Sequence, residues 1–245
     1  MRRILLTIAY DGTDFHGFAF QGGVRTVEGE IAHAVKAITG ETPEIIGASR
    51  TDTGVHAYGN LATFDTETSI EAERFPYALN SALPEDVRIV HAEEVPVQFH
   101  PRGTGWKKTY EYRILNTPWP DPVRRRTTCH MRAPLDVQAM DAAARHLQGT
   151  HDFTSFCSAQ ALSPTRERTI YEIGVTKEED LVTIRVTGSG FLYHMVRIIA
   201  GTLIDVGRGR DTPEDVRMIL EAKDRAAAGK TAEPQGLFLM GYTRD

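Results

Sequence analysis

The hydrophobic pattern of the chain changes period several times, and the changes mark out its elements. The run "RRILLTIAY" is short, carries β-branched residues and stops at the turn residues "DGTD", which predicts a strand. From Thr26 the period lengthens. Val27, Ile31, Ala34, Val35 and Ile38 fall at helical spacing, with Thr26 placed to cap the helix and Gly40 to stop it. Strands are predicted at "EIIGAS" and "NLATFDT", a helix over 70–81, and a strand at "DVRIVHAEEV". The order is β-α-β-β-α-β.

After "FHPRGTG" the pattern begins again with a strand, "WKKTYEYRIL", followed by a long proline-bearing loop and a helix over 136–147. Two strands, "RTIYEIGVTKE" and "LVTIRVTG", are joined by the acidic turn "EED". Helices over 191–206 and 212–222 precede a last strand, "GLFLMGY". The halves repeat nearly the same order of elements without visible sequence identity. That order predicts an α+β protein of two similar units, 1–103 and 104–245, whose mostly antiparallel sheets join and leave a cleft between them.

At 245 residues and 41% apolar content the chain can bury a sizeable core. No uncharged apolar run approaches the ~18 residues of a membrane span, and Asp11 interrupts any signal-peptide core, so a cytoplasmic protein with no membrane partner is expected. Cys129 and Cys157 are the only cysteines, and no His-x-x-x-His occurs, which supports neither a disulfide framework nor a zinc site. The net charge of −5 conceals an asymmetry. Between Arg102 and Arg132 eight Arg and Lys face only Glu111 and Asp121, a local +6 that leaves −11 elsewhere. Trp106, Tyr110, Tyr112 and Trp119 are interleaved with these charges, a mixture suited to gripping phosphates and stacking bases as well as to a solvated face.

The segment "SRTDTGVHA" (49–57) lies between two predicted strands. Asp and Gly are ordinary turn residues, so a plain turn is one reading and chemistry at Asp52 the other. Asp-Thr-Gly also marks aspartic proteases, but only one copy is present, so a hydrolase of that kind would need a dimer to complete the pair, and the charged Arg50 stands where those enzymes have an apolar strand. Two nucleotide motifs fail. "GSGFLY" puts Tyr193 where a dinucleotide fingerprint needs its third glycine, and "AGKT" (228–231) would need a glycine at Asp224. Neither NAD nor ATP is implied.

Seven blocks carry a family resemblance: "YDGTDFHGF", "TVEGEIAHAV", "SRTDTGVHA", "YALNSALPEDV", "FHPRGTGWKKTYEYRI", "GSGFLYHMVRIIAGTL" and "PQGLFLMGY". In this order they resemble the tRNA pseudouridine synthase A family over nearly the whole chain. One departure is "GFAFQGG", where relatives run into a segment containing Trp-Gln. The resemblance implies two α+β halves sharing a sheet across a basic cleft, a homodimer, and tRNA as partner. It implies isomerisation of uridine to pseudouridine at positions 38 to 40 of the anticodon stem-loop, a reaction that adds and removes nothing and so requires no cofactor.

The resemblance also assigns residues. Asp52 is the carboxylate that attacks C1′ or removes the 2′ proton. Arg197 is the cation that keeps it ionised where desolvation disfavours charge. An arginine inside "FLYHMVRIIAGTLI" is costly unless paired, although it could instead snorkel outward. Tyr110 is the platform against the target uracil and the base for its C5 proton, against the plainer reading of a core tyrosine. Arg50 enters the RNA stem, or is simply a surface arginine. Lys107, Lys108, Arg124, Arg125 and Arg126 are the expected phosphate contacts of the basic segment. His16, His56 and His194 sit beside these motifs and could contact phosphate, but are read first as local structural residues. A non-catalytic RNA-binding protein of the same fold is the competing class.

Overall fold

The structure, a computed structural model, describes residues 1–103, 105–160 and 163–244. In chain order the elements are β1 (Arg2–Tyr10), α1 (Val27–Thr39), β2 (Ile46–Gly47), β3 (His56–Thr66), α2 (Phe75–Asn80), β4 (Val87–Val95), β5 (Trp106–Leu115) and β6 (Cys129–His130). They continue with α3 (Val137–Arg145), β7 (Gly149–Asp152), β8 (Glu167–Glu178), β9 (Leu181–Gly188), α4 (Met195–Gly207), α5 (Pro213–Ala222) and β10 (Leu237–Arg244). Contacts group them into two compact units, Met1–Trp106 with Phe238–Asp245, and Lys107–Leu237. Each is α+β with a mostly antiparallel sheet.

In the first unit the sheet order is β4-β1-β3-β10. β1 is antiparallel to both β3 and β4, β2 is antiparallel to β3, and β10 runs parallel to β3 with Phe238 opposite His56. Ile4, Leu6 and Ile8 of β1 are fully buried, as are Val27, Ile31 and Val35 on the apolar stripe of α1. Phe64 of β3 meets Phe75 of α2 edge to face at 5.3 Å. The intervening β1 position Leu5 forms a second cluster with Ala48 and Leu61, over which Phe99, Trp106 and Tyr242 pack. α1 has the expected ends: Thr26 accepts from Gly29 N, and Gly40 is left-handed at φ 75°.

The second unit has the order β5-β9-β8-β7, antiparallel throughout, with β6 added parallel to β5. Tyr110 and Tyr112 of β5 lie opposite Val186 and Ile184. α4 is buried on nearly all sides, as its apolar sequence requires.

Several elements differ from their sequence expectations. The helix over 70–81 is a 3-10 turn at Ala72–Arg74 followed by the six-residue α2, with Pro76 in its first turn. The strand "EIIGAS" contracts to Ile46–Gly47, whereas β3 starts four residues early, at His56. α4 starts at Met195 rather than 191, because His194 adopts a left-handed φ of 62° that an α-helix cannot contain. β6 and β7 were not expected.

Candidate catalytic loop and basic strand

The loop 49–55 combines a turn with a carboxylate. Val55 N donates to Asp52 O at 3.2 Å, closing a four-residue turn in which Gly54 takes φ 77°. That backbone requires Gly at the third position. The plain turn reading of "DTG" is therefore correct as geometry, and it leaves Asp52 half-buried and Arg50 exposed.

A hydrogen-bond network braces the loop from beneath. Asn60, fully buried on β3, donates to Ser49 O at 2.9 Å and to the Tyr10 hydroxyl at 3.1 Å. Its Oδ1 accepts from Ser49 N at 3.3 Å and Leu61 N at 2.9 Å. The Tyr10 hydroxyl then shares a 2.7 Å bond with Thr51 Oγ1, directly before Asp52. From β10, the Tyr242 hydroxyl lies 2.7 Å from Ser49 Oγ and 3.0 Å from Asn60 Oδ1, to which it donates. A buried amide with its capacity used this fully fixes its neighbours.

The loop 11–18 flanks it. Phe18 N donates to Thr51 O at 3.1 Å and Gly54 N to Phe15 O at 3.3 Å. His56 is buried and stacks on Phe238 at 4.6 Å, and its Nδ1 accepts from Gly12 N at 3.1 Å. Because Nδ1 is an acceptor there, the Asp11 oxygen, also 3.1 Å away, is a neighbour rather than its acceptor. Arg25 clamps the far side, bidentate to Asp86 at 2.7 and 2.9 Å and 4.2 Å over the Phe15 ring. The Asp86 bond drives that guanidinium's pKa upward.

In the second unit Tyr110 is buried on β5, its ring edge-on to Phe191 at 5.3 Å. Lys107 and Lys108 are half-exposed on the same strand, and Lys107 Nζ lies 5.0 Å over the Tyr171 ring. Arg197, in the first turn of α4, donates from Nε to Ala232 O at 2.8 Å. It is held within the unit, with only part of it exposed. The acceptor belongs to the segment 228–232, which contains "AGKT". That stretch is no phosphate loop: it lies against α4, with Gly229 N donating to Thr202 Oγ1 at 3.0 Å. The approach is so close that a Cβ at Gly201 would sit 1.8 Å from Lys230 O. Nearby, burial pushes the Tyr112 phenol far above its ordinary pKa, and its hydroxyl donates to Glu233 O at 2.9 Å.

Arg124, Arg125 and Arg126 follow β5 in the loop leading to β6. Arg124 pairs with Asp121 at 2.7 Å, holding that carboxyl below its usual pKa, while Arg125 and Arg126 are exposed. Asp52 and Arg50 thus share one loop of the first unit, and Tyr110, Arg197 and the other expected phosphate contacts belong to the second. The bracing residues Tyr10, Asn60 and Tyr242 were not legible as a group, since each looks like ordinary strand content. Among the described residues no helix is long and apolar enough to cross a membrane.

Comparison with known proteins gives the family. The family model described as "tRNA pseudouridine synthase" matches residues 6–102 and 143–243. The chain is 45% identical over 240 residues to a tRNA pseudouridine synthase A of Thermoanaerobacter sp. (strain X514), covering 98% of each. It is 48% identical over 239 residues to the protein of that name from Halalkalibacterium halodurans (97% and 91% covered), and 47% identical over 245 residues to that of Bacillus subtilis (99% of each). A solved Cbf5-Nop10-Gar1 complex is similar only at TM-score 0.37 and 13% identity, over 82% of this chain and 45% of that one, which carries no weight for the site. The class is that of the pseudouridine synthases. Within it, the chain belongs to the tRNA pseudouridine synthase family.

Proposed function

We propose that the chain isomerises uridine to pseudouridine in the anticodon stem-loop of tRNA, with Asp52 as the reacting carboxylate and no cofactor. The activity itself, a tRNA pseudouridine synthase, follows from family membership across almost the full length. The reaction breaks the N1–C1′ bond, turns the base and forms a C5–C1′ bond. The C5 proton leaves and N1 gains one, so the sum is unchanged. It needs a carboxylate at the ribose, a base for C5 and a surface to receive the flipped uracil.

The observation that supports Asp52 is the way its loop is held. A turn with no other duty has little use for a fully bonded buried amide beneath it, and the brace holds Thr51, the residue directly before the half-buried Asp52. Preorganisation of this kind is what nucleophilic or general-base chemistry requires. Arg197 is assigned as the cation that keeps Asp52 ionised, and Tyr110 as stacking platform and C5 base. Arg50, Lys107, Lys108, Arg124, Arg125 and Arg126 are assigned to the RNA. The working form is proposed to be a cytoplasmic homodimer.

Mapping pseudouridine in unmodified tRNA treated with the purified protein tests this reading. Product confined to the anticodon stem-loop is expected. Tight tRNA binding with no product would favour the non-catalytic RNA-binding alternative.

A further inference from the structure

The loop from Asn116 to Arg132 is built to be rigid. Its ends are pinned by the parallel pairing of Ile114 with Cys129 and by Met131 N donating to Leu115 O at 2.8 Å. The Asn116 amide donates to Met131 O and Ala133 O at 2.9 and 2.7 Å. Within the loop, Thr117 Oγ1 donates to Trp119 O at 2.7 Å, and the Asp121 carboxylate collects Val123 N and Arg124 Nε at 2.8 and 2.7 Å. Thr127 N and Thr128 Oγ1 both donate to Arg124 O.

This ordered frame displays its largest apolar side chain outward. Trp119 is 74% exposed between Pro118 and Pro120, whose rings restrict the backbone on both sides. An indole left in water forgoes the stabilisation that burial of so large a ring brings. The Arg132 guanidinium lies 5.7 Å from the ring centroid, over its face. Arg125 and Arg126 are exposed on the same loop, and the one acidic group there, Asp121, is engaged by Arg124. Pro118, Pro120, Pro122 and Val123 are exposed beside Trp119, but every exposed charge of the loop, Arg125, Arg126 and Arg132, is cationic, which suits a polyanion better than an apolar protein face.

We propose that Trp119 is a stacking platform for an RNA base other than the uridine being isomerised, with Arg132 backing the indole and Arg125 and Arg126 facing the adjoining phosphates. A guanidinium on one π-face leaves the other for a base, every base can occupy it, and a loop already ordered loses little entropy on binding. This inference rests on the reading that the chain acts on tRNA.

The test uses the full chain and unmodified tRNA. Trp119→Ala should raise Kd and KM together by about 10- to 100-fold, and Trp119→Phe, which keeps a ring, should recover most of that loss. Titration with tRNA should quench wild-type tryptophan fluorescence, and Trp119→Phe, which retains Trp106, should lose most of the quench. A wild-type chain that binds tRNA while Trp119→Ala binds it equally tightly overturns the platform and leaves the enzyme reading intact. The same holds for an undiminished quench in Trp119→Phe, or an Ala variant changed only in its sedimentation, which would make Trp119 a protein contact. A wild-type chain that does not bind tRNA overturns both.

Discussion

Arg197 and Ala232 hold each other twice: the Arg197 Nε donates to Ala232 O at 2.8 Å, and Ala232 N donates to Arg197 O at 3.0 Å. A guanidinium anchored by its Nε keeps its terminal nitrogens in a set direction, which a lysine ammonium in the same place would not do. If Arg197 keeps Asp52 ionised, Arg197→Met should lose activity and move the acidic limb of the pH–rate profile upward, since a carboxylate deprived of its cation ionises at higher pH. Gly201→Ala should disturb the same contact and destabilise the fold as well. Its methyl group would displace the segment around Lys230 O, and with it the acceptor of Arg197. A pH profile unmoved in both variants would count against the assignment.

Asp52→Asn keeps the backbone carbonyl that accepts from Val55 N and closes the turn. Turnover should fall by ~10³-fold or more while tRNA affinity stays close to wild type, since phosphate contacts supply most of the binding. Single-turnover assays beside filter binding separate the two effects.

Tyr110→Phe keeps the ring against Phe191 and removes one oxygen. With tritium at C5 of the uridine, the variant should bind tRNA but release label ~10²–10⁴-fold more slowly than wild type, the usual cost of losing a general base. Release at the wild-type rate would leave Tyr110 only its stacking role.

Asn60→Ala strips hydrogen-bond partners from Ser49, Leu61, Tyr10 and Tyr242 at once. A loss of about 3 kcal/mol in folding stability is expected from so many buried groups left unsatisfied. Tyr242→Phe removes a single hydroxyl and should cost only about 1 kcal/mol. If the brace positions Asp52, the Phe variant should still lower kcat more than it raises KM. Urea melts and steady-state kinetics on the two variants report these effects.

Asp141 ties α3 to β8: its Oδ1 accepts from Val175 N at 3.0 Å and its Oδ2 from Arg145 Nη2 at 2.8 Å. The Val175 bond first, then Arg145, holds the carboxyl below its ordinary pKa. A depressed folded-state value contributes stability that is fully present above the unfolded pKa of about 4 and is lost as pH falls through the folded value. Asp141→Asn should therefore be less stable than wild type at pH 7, by about 1–2 kcal/mol, with the gap closing below pH 4. Thermal melts across that range measure it.

Local rules made much of this fold legible. Thr26 and Gly40 bounded α1 because capping needs only neighbours, and Thr212 began α5 in the same way, through a capping box with Asp215. Elements that depend on distant partners were missed or mis-sized. β6 is two residues long and exists only because Ile114 and Leu115 lie beside it. The helix expected from 191 fails at His194, whose ring stacks on Tyr193 at 3.8 Å in a backbone state no periodicity announces. Asp52 was legible as a motif, but its brace was not, since Tyr10 and Asn60 are separated by 50 residues and Tyr242 lies 182 beyond Asn60.

That last separation has a consequence during synthesis. The ribosome delivers Asp52 and most of its unit early, but β10, which supplies Tyr242 to the brace and Phe238 to His56, is translated only after the whole second unit. Contacts so distant in sequence form late. A nascent chain would therefore display Asp52 on an unfinished scaffold, and if Asp52 is the reacting carboxylate, tRNAs crowding the translating ribosome would meet a competent loop only once the final strand had emerged.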